Sequence, residues 1–150
     1  MAQDHSSTAR TIWKGDPVRG SGHVTTASPA LKDTEVTWNA RIGDAAGTTP
    51  EELLGAAHAS CYSMALNFAL TGAGFKPEEL DVKATVTFGA IEGGFAVKTV
   101  SLELDAQVPG IDDAKFLELA EQAKNGCPIS ALMAGNVEVG LKARLATTAS

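Results

Sequence analysis

Residues 47–62 read GTTPEELLGAAHASCY, and from Leu53 to Phe75 the chain carries no Asp, Glu, Lys or Arg. The start of a helix is clearly marked in this stretch. Thr49 is a good N-cap, Pro50 suits the first helical position, Glu52 completes a capping box and Glu51 favours the positive end of the helix dipole. Gly72 and Gly74 supply the stop, so the helix is predicted to run to about Thr71.

A helix without charge beyond its first turn is long enough to span a bilayer. His58, Ser60, Ser63, Asn67, Thr71 and the many alanines weaken its affinity for lipid, and it has neither basic flanks nor aromatic belts. The sequence therefore points to no membrane partner and to a central helix, apolar nearly all round and covered on every side by protein. Gly55, Ala56, Ala57 and Ala59 would let another helix approach closely. A chain of 150 residues has little material with which to surround such a helix, so a homodimer is expected, two-fold dimers being the commonest oligomer.

Outward from this helix the chain reads as short elements. Arg10 to Gly15, Gly22 to Thr26 and Thr34 to Ile42 look like strands separated by the turn-rich GDPVRGSG and ASPALKD. After the helix, Val82, Ala84, Val86, Phe88 and Ala90 share one face of a strand. Val100, Leu102, Leu104, Ala106 and Val108 share one face of the next. Glu92-Gly93-Gly94 makes the hairpin turn between them. Asp112 to Lys124 is an amphipathic helix, Pro128 opens a short one, and Val137, Val139, Leu141 and Ala143 alternate in a last strand. The order βββ-α-ββ-α-α-β is that of an α+β domain with antiparallel sheets packed around the buried helix. One domain spans residues 1–150, with loose tails at 1–9 and 146–150.

A net charge of −6, with twelve scattered Lys and Arg, leaves nothing to displace counterions from a phosphate backbone, so no nucleic-acid partner is expected. MAQDHSSTAR lacks the features of a secretory signal, and a cytoplasmic location follows as the default.

The chain has two cysteines, Cys61 in the helix and Cys127 in NGCPIS. In a reducing compartment such a pair is catalytic, redox-active or inert more often than a structural staple. Cys127 stands where a helix N-terminus would make a thiol more acidic, which also suits a mere cap. Metal is not expected, because there is no CxxC or HxxxH pair and His5, His23 and His58 are wrongly spaced for a finger. His58 lies at i−3 from Cys61 on the same helix face, so a Cys–His thiol hydrolase stands as an alternative, without a visible third member. A non-enzymatic, stress-related binding protein with incidental cysteines is the other.

GTTPEELLGAAHASCYSMAL closely resembles the corresponding motif of the OsmC/Ohr family, the osmotically inducible and organic hydroperoxide resistance proteins. GFAVKTVSLELDAQVPGID, AKNGCPIS and WKGDPVRGSGHV extend the likeness over nearly the whole chain, and the wording PEELLGAAHASC is closer to the OsmC branch. The resemblance implies an intertwined homodimer and a thiol-dependent peroxidase, acting on organic hydroperoxides and more weakly on hydrogen peroxide. It makes Cys61 the peroxidatic and Cys127 the resolving cysteine, with Glu51 the acidic residue of the motif. It points to Arg19 or Arg41 for an active-site arginine, of which Arg41 is preferred.

In such a cycle a Cys61 sulfenic acid condenses with Cys127 to a disulfide, and an external dithiol restores both sulfurs. In relatives that reductant is a lipoylated protein or a small dithiol, and no cofactor is needed. Leu54, Met64, Phe68 and Met133 are candidates to line an apolar substrate pocket. Ten residues of straight helix separate Glu51 from Cys61 by about 15 Å and about 80°. Either the helix breaks near Gly55 or Glu51 comes from the partner subunit, and the second is expected.

Overall fold

The computed structural model describes residues 3–146, so the outermost residues of both expected tails lie outside the described part. The chain divides into two compact units, Met1–Leu53 and Leu54–Ser150. In the first unit, β1 (Ala9–Lys14), β2 (Ser21–Thr26) and β3 (Thr34–Val36) form an antiparallel sheet in that order. The third predicted strand is shorter than Thr34 to Ile42. Thr37 turns the chain, its hydroxyl accepting from the Ala40 N–H at 3.0 Å, and α1 (Trp38–Arg41) follows as a single helical turn. A capping threonine ends the strand well before Ile42.

Helix α2 (Pro50–Gly72) begins and ends within a residue of expectation. Thr49 caps it, its hydroxyl accepting from the Glu52 N–H at 3.0 Å. The Glu52 carboxylate accepts instead from the Thr48 hydroxyl at 2.7 Å, so the capping box is half formed. The helix has no break at Gly55. A side chain there would meet the Ala84 carbonyl oxygen at 3.4 Å, so the small residue admits a strand rather than another helix.

The second unit is built on β4 (Glu79–Ile91), β5 (Gly94–Gln107) and β6 (Val139–Leu145). Strands β4 and β5 are antiparallel across the Glu92-Gly93 turn, where Gly93 takes a φ of 83°. β6 runs parallel to β5, which corrects the expectation of antiparallel pairing throughout. Helices α3 (Asp113–Gly126) and α4 (Pro128–Met133) fill the connection. So long a crossover returns the chain in its original direction, as parallel pairing requires.

Leu102, Leu104, Ala106 and Val108 are buried together with Tyr62, Leu66 and Leu70 of α2 and Phe116, Leu119, Ala120 and Ala123 of α3, and Val100 on the same strand face is buried too. The helix is thus buried along the row His58, Tyr62, Leu66, Leu70, one turn apart, while Ala56, Ser60, Met64, Asn67 and Phe68 face outward. One chain covers one face of it. Among the described residues, no helix is long and apolar enough to cross a membrane.

Tyr62, fully buried, donates its hydroxyl to the Ala120 carbonyl at 2.9 Å and so ties α2 to α3. Tyr62→Phe keeps the ring and removes a second hydrogen bond from a carbonyl already engaged within α3, so the urea midpoint is expected to fall by the equivalent of about 0.5–1.5 kcal/mol.

Candidate active site

Cys61 and Cys127 come together in the second unit, their sulfurs 3.2 Å apart and sharing a hydrogen bond, with both thiols free. Each has a structural reason for its place. Cys61 belongs to the half-buried row Cys61, Ala65, Ala69 that flanks the buried stripe of α2. Cys127 ends α3 by giving its N–H to Ala123, and starts α4 by accepting from the Ala131 N–H, both at 2.9 Å. Pro128 fixes the turn between the two helices.

The pair is electrically uneven. Burial raises the Cys61 thiol, one N–H from Ile129 opposes this, and Cys127 pushes it higher again. Burial also raises Cys127, but the Ser130 N–H, the Cys61 thiol, the Ser130 hydroxyl and the Ile129 N–H outweigh it and hold Cys127 below the usual thiol range. Of the two thiols Cys127 is therefore the more readily ionised. Within this unit the more acidic thiol is not the one to which the family resemblance assigns peroxide attack.

His58 does not activate Cys61. Its Nε2 bonds to Ser130 Oγ at 2.7 Å, and its Nδ1 is buried without a partner. The Cys61–His58 couple needed for a thiol hydrolase is thus not formed. Burial keeps His58 neutral by lowering its pKa. Below the unfolded value of about 6.5 the unfolded chain gains a proton that the folded protein refuses, until the depressed folded value is reached. Stability is therefore fully present above about pH 6.5 and is lost as pH falls through that window. Urea midpoints at neutral pH and near pH 5 should differ less in a His58→Gln variant than in the parent protein.

The first unit holds a second cluster. Arg41 at the end of α1 grips Glu51, in the first turn of α2, with its Nε 3.0 and 3.2 Å from the two carboxylate oxygens and an Nη 2.6 Å from one of them. Glu51 is 8% exposed and Arg41 31%, so this is a largely desolvated pair with fixed geometry. Arg19, the other candidate, is 89% exposed and pairs with Asp16 three residues away.

Each unit has an apolar hollow beside its cluster. In the second, a groove of about 550 Å³ is lined by Cys61, Met64, Phe68, Ala69, Gln122 and Pro128 among others. Of the four residues offered for a substrate pocket, Met64 and Phe68 line this groove, whereas Leu54 and Met133 do not. Met133 is a core residue, 8% exposed. In the first unit, Trp13, Val24, Val36, Trp38 and Leu53 border a hollow of about 560 Å³ with Arg41 on its wall. Among the described residues there is no group of three or more His, Cys, Asp or Glu side chains that could hold a metal.

The description OsmC-like protein matches residues 43–142, a span that holds Glu51, Cys61 and Cys127. The chain belongs to the OsmC-like family. This OsmC-like chain is 42% identical over 125 residues to the peroxiredoxin OsmC of Escherichia coli K12, covering 83% of its own length and 87% of that protein. It is 32% identical over 123 residues to an organic hydroperoxide resistance protein of Xanthomonas axonopodis pv. citri, covering 80% and 84%. Among solved structures it resembles an organic hydroperoxide resistance protein from Elizabethkingia anophelis, with a TM-score of 0.76, 30% identity and coverage of 97% and 100%. One residue of the OsmC-like thiol cluster escaped sequence reasoning. Ser130 follows Cys127 by three positions in CPIS, a spacing that turns a hydroxyl back towards the residue preceding a helix.

Proposed function

We propose that this protein is a thiol peroxidase that reduces organic hydroperoxides, and hydrogen peroxide more weakly, to alcohols and water, in defence against oxidative stress. The observation that carries the reading is the 3.2 Å approach of two free sulfurs that lie far apart in the sequence. The Cys61 thiolate attacks the terminal peroxide oxygen, the alkoxide departs and takes a proton, and Cys61 becomes a sulfenic acid. The Cys127 thiolate then attacks the Cys61 sulfur, water leaves, and a disulfide joins the two. A dithiol of the medium, small or carried on a lipoylated protein, reduces that disulfide by exchange and is itself oxidised. The names of the Escherichia coli and Xanthomonas relatives support the reaction class.

The raised Cys61 thiol is what calls for an arginine. Cys61 becomes the attacking thiolate when a guanidinium beside it outweighs its burial and the neighbouring Cys127. Arg41, oriented by Glu51, is that group, and it also stabilises the departing alkoxide. Helix α2 has no break between Glu51 and Cys61. In the proposed homodimer the arginine–glutamate pair therefore comes from the partner subunit. The open face of α2 bearing Met64 and Phe68, 64% and 80% exposed, favours such a dimer, because large apolar side chains in that position are normally covered. The groove beside Cys61 and the hollow beside Arg41 then offer apolar walls to an alkyl tail.

The reading is tested by consumption of cumene hydroperoxide with dithiothreitol present. Catalytic turnover is expected, with hydrogen peroxide the poorer substrate. No turnover above that of free dithiol would sink it.

A further inference from the structure

His58 is a fully buried, titratable side chain that the peroxidase cycle does not use. Its surroundings fix its tautomer. Nδ1 has no partner, while Nε2 lies 2.7 Å from Ser130 Oγ. If Nδ1 carried the proton, a buried N–H would be orphaned. If Nε2 carries it, only a lone pair is left bare, which is the less costly defect. His58 is therefore the Nε2–H tautomer and donates to Ser130. The serine hydroxyl has one proton, and with its oxygen engaged as acceptor that proton is free to turn towards Cys127, three positions earlier at the start of α4, the direction that lowers this thiol's pKa.

We propose that His58 is a positioning residue for Cys127, using its Nε2–H to lock the Ser130 hydroxyl so that its proton points at that sulfur. The inference rests on the reading of Cys127 as the resolving thiol. The array His58 Nε2–H to Ser130 Oγ–H to Cys127 Sγ serves both halves of the cycle. In the oxidative half it keeps Cys127 as the thiolate that attacks the Cys61 sulfenic acid. In the reductive half an incoming thiolate attacks the Cys61 sulfur, a mixed disulfide forms, and Cys127 leaves with the electron pair. A hydrogen bond already aimed at the departing sulfur makes it a better leaving group. No proton passes along the array. It works by orientation, and the neutrality of the buried imidazole suits that task.

The test titrates Cys127 alone, in a Cys61→Ser background that leaves it as the single cysteine, by thiolate ultraviolet absorbance against pH. The one tyrosine, Tyr62, does not interfere, because burial pushes its ionisation far up. The other titratable groups around the cluster are Glu121 and Lys124 on α3 and Glu138 before β6, and the substitutions leave them unchanged.

Ser130→Ala is expected to lower the thiolate-to-thiol ratio about tenfold at the parent midpoint, as befits one hydrogen bond to a charged group. His58→Leu should lower it several-fold, His58→Gln, which retains an N–H donor, should restore most of the loss, and His58→Leu should add nothing once Ser130 is alanine. A folded Ser130→Ala protein with the parent midpoint overturns the proposal, even if His58→Leu does not fold. So does a His58→Leu shift that is undiminished in the Ser130→Ala background. Hydroperoxide turnover by the unmodified protein is read separately. Turnover with no titration shift refutes the positioning role alone, whereas a shift without turnover refutes the peroxidase reading on which it rests.

Discussion

Cys61→Ser is expected to lower hydroperoxide turnover at least about 10³-fold, the usual scale when the nucleophile of an interdependent set is removed. Serine nearly matches the thiol in size at a half-buried position, so the thermal midpoint should change little. Cys127→Ser should behave differently. Its first turnover should proceed, since the sulfur proposed to attack the peroxide is intact, but no thiol stands 3.2 Å away to capture the sulfenic acid. Further peroxide then drives Cys61 towards the sulfinic and sulfonic acids, and activity decays with each addition. Rapid-mixing assays of the two variants separate them. Equal behaviour in the first turnover would contradict the division of labour between the sulfurs. A binding protein with incidental cysteines would show no turnover in either variant or in the parent.

Arg41→Met carries the second large effect. Removing a preorganised cation from a developing oxyanion costs about 10²–10³-fold in kcat. In the proposed site the same change would also withdraw the charge that favours the Cys61 thiolate, whose burial holds its thiol high. The rate loss should therefore be largest near neutral pH and shrink as rising pH ionises the thiol directly. The substitution also leaves the Glu51 carboxylate, 8% exposed, without its bidentate partner. A loss of about 1–3 kcal/mol in stability should accompany it, and Glu51→Gln in the same chain should recover part of this by removing the unpaired charge. The proposed partner-subunit origin of the pair gives a sharper outcome. In purified heterodimers of Cys61→Ser and Arg41→Met subunits, one site carries both lesions and the other neither, so activity should return to about half that of the parent dimer. Activity no higher than in the two parent variants would place the arginine and the cysteine of one site in the same chain.

The sequence made the long helix legible because Thr49, Pro50 and Gly72 act within a turn of themselves. The strand faces of β4 and β5 were equally readable, since the alternation Val100, Leu102, Leu104, Ala106 is local. What escaped depended on distant partners. The direction of β6 follows from the path of α3 and α4, which its own alternation does not record. Thr37 was a local capping signal that the reading of a longer strand did not use. The helix is uncharged beyond its first turn, yet past Gly55 one chain buries only the row His58, Tyr62, Leu66, Leu70. The meeting of Cys61 and Cys127 was available only through the family resemblance, because no spacing rule joins residues so far apart. Ser130 had a local signal in CPIS, but its link to His58 crosses from α4 to α2 and becomes visible only in three dimensions.

The central claim is that the sulfurs of Cys61 and Cys127 form one redox couple, and mass spectrometry after a single equivalent of alkyl hydroperoxide tests it most directly. The account predicts a loss of about two hydrogens in mass, reversed by dithiothreitol and mapped to a Cys61–Cys127 cross-linked peptide. An unchanged mass, or an oxygen retained on Cys61 while Cys127 stays a free thiol, would contradict it.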